Sequence, residues 1–178
     1  MNKLRGSRVY CAGPMDRVKD GGVGWRRMIT PALKNMGIYV LDPTNKPIDI
    51  GCEDIENREF RSKLKQNLEF DKIRKMGGEI RRVDLRSVDV VDALVVHWDT
   101  TVSICGTMEE ITLANRQKKP ILIKFSPDIQ SAPDWLFFML PHKYFFDTWE
   151  DLLKCLYRVD SGEEVDDRWV LFDWESLK

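Results

Sequence analysis

Histidine is scarce in this sequence: His97 and His142 are the only two in 178 residues. Cys11, Cys52, Cys105 and Cys155 are scattered, with no CxxC pair among them. No His/Cys spacing matches a zinc site, so no metal is expected. Charge of one sign is not in excess either. The 28 Lys and Arg are matched by 29 Asp and Glu, for a net charge of −1. Without a global basic field, a nucleic-acid polymer is not an expected partner. No apolar run reaches the roughly 20 residues of a membrane helix. Trp135 to Leu140 is apolar but far too short. Met1 to Arg5 is polar and leads straight into a strand, so no secretory leader is expected. Reduced thiols, a cytoplasmic setting and no membrane contact follow as expectations. No GxGxxG follows the first strand, which argues against a Rossmann dehydrogenase.

What is present suits one domain spanning 1–178 with a substantial core. Ser7 to Ala12 reads as a buried strand closed by Gly13-Pro14. Trp25 to Met36 has helical apolar spacing, with Pro31 inside it and Gly37 as a C-terminal cap. Ile38 to Leu41 is a second strand, closed by Asp42-Pro43, and Thr44 to Glu53 is loop. A charged helix is expected from Ile55 to Lys75, stopped by Gly77-Gly78, with another from Glu79 to Val91. The Lys and Arg clustered between Arg58 and Arg86 alternate with acids, as on a solvated helix face. Ala93 to Trp98 is nearly continuous apolar strand, as in the middle of a parallel sheet. A helix from Gly106 or Thr107 to about Lys118 and a strand from Pro120 to Phe125 follow. Beyond Ser126, a short helix (Pro133 to Leu140) and an edge strand (Lys143 to Phe146) are expected. A helix capped by Thr148 runs to about Arg158, with Trp149, Leu152, Leu153, Leu156 and Tyr157 inward. The tail, about 161–178, ends in the apolar stretch Trp169 to Trp174, which must pack on this core or on a neighbour's. Alternating strands and helices predict an α/β three-layer sandwich around a five-stranded parallel sheet. The expected order is flavodoxin-like, 2-1-3-4-5, whose switch point lies between strands 1 and 3.

The two strand ends at that switch point carry the unusual residues. Strand 1 delivers Tyr10, Gly13, Pro14 and Met15; strand 3 delivers Asp99, Ser103, Gly106, Thr107, Glu109 and Glu110. Gly106 allows a ligand close to the backbone, and the free N–H groups of a helix start favour an anion or polar sugar. Glu110 lies one turn inside that helix, where a carboxylate can face a pocket. By pattern alone these acids are equally explained as complements to the helix dipole, and Thr107 as a cap. Asp84 and Arg86 lie on the preceding helix, within reach of the switch point or on the surface.

Taken together, the motifs resemble the nucleoside 2-deoxyribosyltransferase family and its nucleotide N-glycosidase relatives. The likeness rests on Val9 to Met15, then Trp25, Leu33 and Gly37 leading to Val40 to Pro43. Val83 to Leu85, Asp92 to Val96, Gly106 to Ile111, Ala114 and Lys119 to Ile121 complete it, so that it covers about residues 7 to 125. The resemblance implies a flavodoxin-like fold, no cofactor, and a homo-oligomer whose sites borrow residues from a neighbour. It implies Glu110, four residues after Gly106, as nucleophile, with Asp84 holding or protonating the base. Tyr10 and Gly13 then line the sugar and base pocket. Trp25 belongs to the same expected site. Where many transferases have an aspartate two residues before the glycine, this chain has Ile104.

The expected substrate is a small-molecule nucleoside or nucleotide. A 5′-phosphate would draw on Arg17, Lys19, Arg26, Ser103 and the Gly106-Thr107 backbone, while Asp16 beside Arg17 opposes it. Other readings stay open. Gly106 to Glu110 also resembles the glycine-rich segment of lysine-decarboxylase-like phosphoribohydrolases, without their upstream Pro-Gly-Gly. A TIR-like NAD glycohydrolase shares fold and glutamate, and a non-catalytic nucleotide-binding module is a further alternative.

Overall fold

The computed structural model describes residues 2–48, 50, 51, 55–173 and 176. Cys52, Glu53 and Trp174 lie outside the described residues. The elements run β1 (Arg8–Ala12), α1 (Val23–Asn35), β2 (Tyr39–Leu41), α2 (Ile55–Gln66), α3 (Phe70–Val90) and β3 (Ala93–Asp99). They continue with α4 (Cys105–Arg116), β4 (Ile121–Ser126), α5 (Asp134–Met139), β5 (Phe145–Phe146) and α6 (Trp149–Ser161). The sheet has five strands in the order β2-β1-β3-β4-β5, and every pairing is parallel. This is the flavodoxin-like α/β arrangement that the strand–helix alternation predicts.

Side-chain parity along the strands divides the core in two. Val9, Cys11, Ala93 and Val95 face one side, where Ile29 and Leu33 of α1 and Leu152, Leu156 and Val159 of α6 cover them. Tyr10, Ala12, Leu94, Val96 and Trp98 face the other, against Val88 of α3, Ile111 and Ala114 of α4 and Leu136 of α5. Tyr10 is therefore delivered to the α3–α4 layer, and that single fact organises the site.

Several boundaries differ from the sequence reading. The helix expected to stop at Gly77-Gly78 runs through both glycines, and a Cβ at either would meet nothing within 4 Å. The chain breaks earlier, after Gln66, where Leu68 takes a φ of +58°. Two glycines cost an exposed helix roughly 1 kcal/mol each, which the packing of Val83 and Val88 outweighs. The expected edge strand is cut to two residues because His142–Tyr144 forms a 3₁₀ turn. On α6, Cys155 and Val159 point inward, whereas Tyr157 is exposed. Thr148 caps that helix, accepting from the Asp151 N–H at 3.1 Å. The tail packs on this chain's own core at Trp169, which is buried and donates to Tyr144 Oη at 3.1 Å. Val170 and Phe172 remain exposed.

Candidate active site

β1 ends in the loop Gly13 to Gly22 and β3 in the loop Thr100 to Ile104, on either side of the switch point. Between them lies a cavity of about 250 Å³, with Tyr10, Asp84, Gly106, Thr107 and Glu110 in its wall. A neighbouring cavity of about 330 Å³ shares the Asp16, Asp84, Gly106 and Glu110 walls. The pair falls within the roughly 300–1,000 Å³ typical of small-molecule sites. A larger groove of about 1060 Å³ runs along the edge strand β2, but no carboxylate among the described residues lines it.

Glu110 stands on the inner face of α4, one turn from its start, and is buried. The Tyr10 hydroxyl donates to its Oε1 at 2.8 Å. Burial pushes the Glu110 carboxyl up to about 8; the Tyr10 hydrogen bond pulls the other way, and nearby Asp84 adds to the rise. Asp84, on α3, is also raised by burial, with Lys46 and then Tyr10 opposing. The Tyr10 phenol is pushed up by burial and by the Glu110 charge. A buried carboxyl and a half-buried one flanking one hydroxyl, at a cavity wall, is an arrangement suited to general acid–base or nucleophilic chemistry. Glu109 has a different fate: it is paired with Arg81 on the surface, through Nε–Oε2 at 2.8 Å and through Nη2 to Oε1. Of the two adjacent acids, only Glu110 lines the cavity at the switch point, whereas Glu109 reaches only the neighbouring one.

The α4 start has no side-chain cap, so Thr107 is not serving as one. Thr107 is instead buried in the cavity wall. A Cβ on Gly106 would meet nothing within 4 Å, which leaves the backbone open to a ligand. Gly13, Pro14, Met15 and Ser103 line the same cavity, as does Ile104.

Trp25 and Asp99 lie elsewhere, Asp99 by strand parity and Trp25 by its place on α1. Asp99 shares the α1–α6 face with Val95 and His97, and its carboxylate accepts from Thr101 N at 2.9 Å and Thr101 Oγ1 at 2.6 Å. Trp25 stacks on Trp149, centroids 5.1 Å apart, with His97 edge-on at 5.6 Å. Neither residue is in the wall of the Glu110 cavity. Trp25 touches it only indirectly, since a Cβ on Gly13 would come within 2.9 Å of its Cζ2.

Arg26 and Lys46 are the residues whose roles the sequence reading missed. Arg26 is wholly buried and donates to the carbonyls of Cys11 (3.0 Å), Gly22 (2.8 Å) and Gly13 (3.1 Å). Its Nε lies 3.6 Å from Asp42 Oδ1. It is a clamp on the β1 loop, with these donors already committed, and not a free phosphate ligand. Its signal was present, because position 26 continues the buried stripe of Ile29 and Leu33 on α1. Lys46 meets Asp84 at 2.8 Å from a loop 38 residues away in sequence, and no local pattern announces that pair. From α2, Arg58 donates to the Met15 carbonyl at 2.8 Å and Arg61 to Asp16 Oδ1 at 2.9 Å, which fixes the cavity rim. Among the described residues, no group of three or more His, Cys, Asp or Glu could hold a metal, and no helix is long and apolar enough to cross a membrane.

No protein-family model matches the chain, and no curated protein matches it. Several solved structures are similar to it, among them two enzymes. One is a 2-deoxyribosyltransferase from the psychrotolerant bacterium Bacillus psychrosaccharolyticus, with a TM-score of 0.54 and 16% identity over 90% of this chain and 93% of that one. The other, a looser likeness, is the CMP N-glycosidase of Clostridium botulinum, with a TM-score of 0.47 and 16% identity over 85% of this chain and 98% of that one. The fold is that of the 2-deoxyribosyltransferase. At this identity the likeness establishes the fold and leaves the chemistry to the site.

Proposed function

We propose that this protein cleaves or transfers at the N-glycosidic bond of a nucleoside, a deoxynucleoside or a 5′-monophosphate, with Glu110 as nucleophile. The observation that carries the proposal is the buried Glu110 carboxyl, held by the Tyr10 hydroxyl at 2.8 Å beside Asp84 in a cavity at the switch point. The family resemblance of the motifs, and a similar fold in a protein described as a 2-deoxyribosyltransferase, support the same reading.

Breaking a C1′–N bond develops oxocarbenium character on the sugar. A carboxylate below the ring stabilises that charge and can bond to C1′, as in retaining glycosidases. As the Glu110 oxygen bonds to C1′, the electron pair of the C1′–N bond leaves on the base nitrogen, which takes up a proton from solvent water. Asp84 is the base-side group. Tyr10 orients Glu110 and favours its ionised form, which the developing sugar cation draws out. Gly13, Pro14, Met15, Ser103, Gly106 and Thr107 enclose the sugar and base. Attack on the glycosyl ester by a second base gives transfer; attack by water gives hydrolysis. On this reading the enzyme works in the cytoplasm as a homo-oligomer.

The test is a panel of ribo- and deoxyribonucleosides and their 5′-monophosphates, with and without a free acceptor base, analysed by chromatography. A new nucleoside formed only with acceptor identifies a transferase; free base alone identifies a hydrolase. Glu110→Ala should abolish either while keeping the fold. No product from a folded protein across the panel would sink the proposal and favour a nucleotide-binding module.

A further inference from the structure

Asp84 has a charged neighbour on the side away from the cavity. Lys46 stands in the loop between β2 and α2, with its side chain 4% exposed. Its ammonium lies 2.8 Å from Asp84 Oδ1 and also donates to the Gly51 carbonyl. Gly51 has a φ of +66°, and a Cβ there would come within 2.9 Å of Val83 Cγ2. The loop is thus seated on α3 one residue before Asp84. Lys46 lines neither site cavity, only the outer β2 groove. A ligand in the site therefore meets Asp84 and not the lysine.

A buried ammonium is costly without a buried anion beside it. Among the described residues, the charged and titratable groups facing Asp84 are Lys46 from the loop, Tyr10 from β1, Arg26 from α1 and Glu110 from α4. Arg26 is spent on backbone carbonyls, and Tyr10 donates to Glu110. Lys46 is thus the cation in position to decide which of the two carboxyls bears the charge. We propose that Lys46 is a positioning residue that fixes Asp84 as a carboxylate, an acceptor-only group, so that the base subsite selects nucleobases presenting an amino group to it. This rests on the glycosidic-bond reading. An ionised carboxylate accepts hydrogen bonds and cannot donate one. An amino group satisfies it, whereas a carbonyl in the same place sets acceptor against acceptor.

Matched pairs in which an amino group is exchanged for a carbonyl test the selection, adenine against hypoxanthine nucleosides and cytosine against uracil nucleosides, with N1-methylated hypoxanthine and N3-methylated uracil nucleosides as controls for the ring N–H that the exchange also creates. For the wild type, kcat/KM should favour the amino member by about ten- to a hundredfold, the range of a hydrogen bond to a charged group. Lys46→Met should bring that ratio toward one, and Lys46→Arg should retain most of it. Carboxyl carbon NMR, with the Asp84 signal assigned by Asp84→Asn, should show Asp84 titrating at higher pH in Lys46→Met than in wild type. If Lys46→Met does not fold, Lys46→Arg and Asp84→Asn decide: Asn can donate, so Asp84→Asn should lose the amino preference and Lys46→Arg should keep it. An unchanged base ratio and an unchanged Asp84 titration in a merely less stable Lys46→Met would overturn the proposal. Chemical-shift mapping with the free bases separates this from failure of the enzymatic reading. If no nucleoside is turned over, adenine and cytosine should still perturb Asp84 more than hypoxanthine and uracil. Equal perturbation would refute the acceptor site itself.

Discussion

Replacing Glu110 with Gln should abolish catalysis and, at the same time, make the protein more stable at neutral to alkaline pH. The reason is linkage. The folded carboxyl sits at about 8, while an unfolded glutamate titrates near 4.3, so the folded state holds a proton that the unfolded state has lost. The associated stability is full below about pH 4.3 and is lost as pH rises through about 8. At 1.36 kcal/mol per pH unit, the whole window amounts to an upper bound of about 5 kcal/mol. His97 complicates the acid end. Burial lowers it to about 4, so its contribution grows as pH rises from about 4 to its unfolded value near 6.5. The clean interval is therefore roughly pH 6.5 to 8, over which the wild type should lose about 2 kcal/mol relative to Glu110→Gln. Urea unfolding at half-unit pH steps measures this directly. Parallel stability curves for the two proteins would refute the claim that Glu110 is protonated in the resting fold.

The remaining predictions concern the groups around it. In the free enzyme, kcat/KM should rise about tenfold per pH unit below about 8 and level off above it, because the nucleophile must be ionised; a flat profile from pH 6 to 9 would contradict this. Tyr10→Phe removes the bond that opposes the rise of Glu110, so the same limb should move about one pH unit alkaline, read from pH–rate profiles. Arg26→Met strips the clamp from the β1 loop and leaves Asp42 without its buried partner; urea melts should show a loss of roughly 3–5 kcal/mol. Cys105 is exposed and lines the cavity, so iodoacetamide should block turnover, and saturating nucleoside should slow both alkylation and inactivation.

Much of the fold was legible because period-2 and period-3.6 patterns report burial directly. Val9 to Ala12 and Ala93 to Val96 are apolar on both faces because helices cover both. Glu110 and Tyr10 were legible as well, through the glycine–glutamate spacing and the strand end, and the structure brings them within hydrogen-bond distance. Asp99 was expected in the site from its place at a strand end, and Trp25 from the family resemblance. Both belong to the opposite layer: parity counted from Val95 places Asp99 there, and Trp25 packs there from α1. Gly77-Gly78 misled because glycine weakens a helix without forbidding it, and α3 gains more from burying Val83 and Val88. The Lys46–Asp84 pair is a purely tertiary contact between a loop and a helix, with no period to reveal it.

The central claim, that Glu110 bonds to C1′, is tested most directly by intact-mass spectrometry. The protein would be mixed with 2-deoxy-2-fluoro nucleosides bearing each common base and then digested for peptide mapping. The electron-withdrawing fluorine disfavours oxocarbenium character, so the glycosyl ester should outlive its formation. The account predicts a mass gain of one fluorinated deoxyribosyl group, on the peptide containing Glu110, and none in Glu110→Gln. A label on another residue, or base release by Glu110→Gln at the wild-type rate, would contradict it.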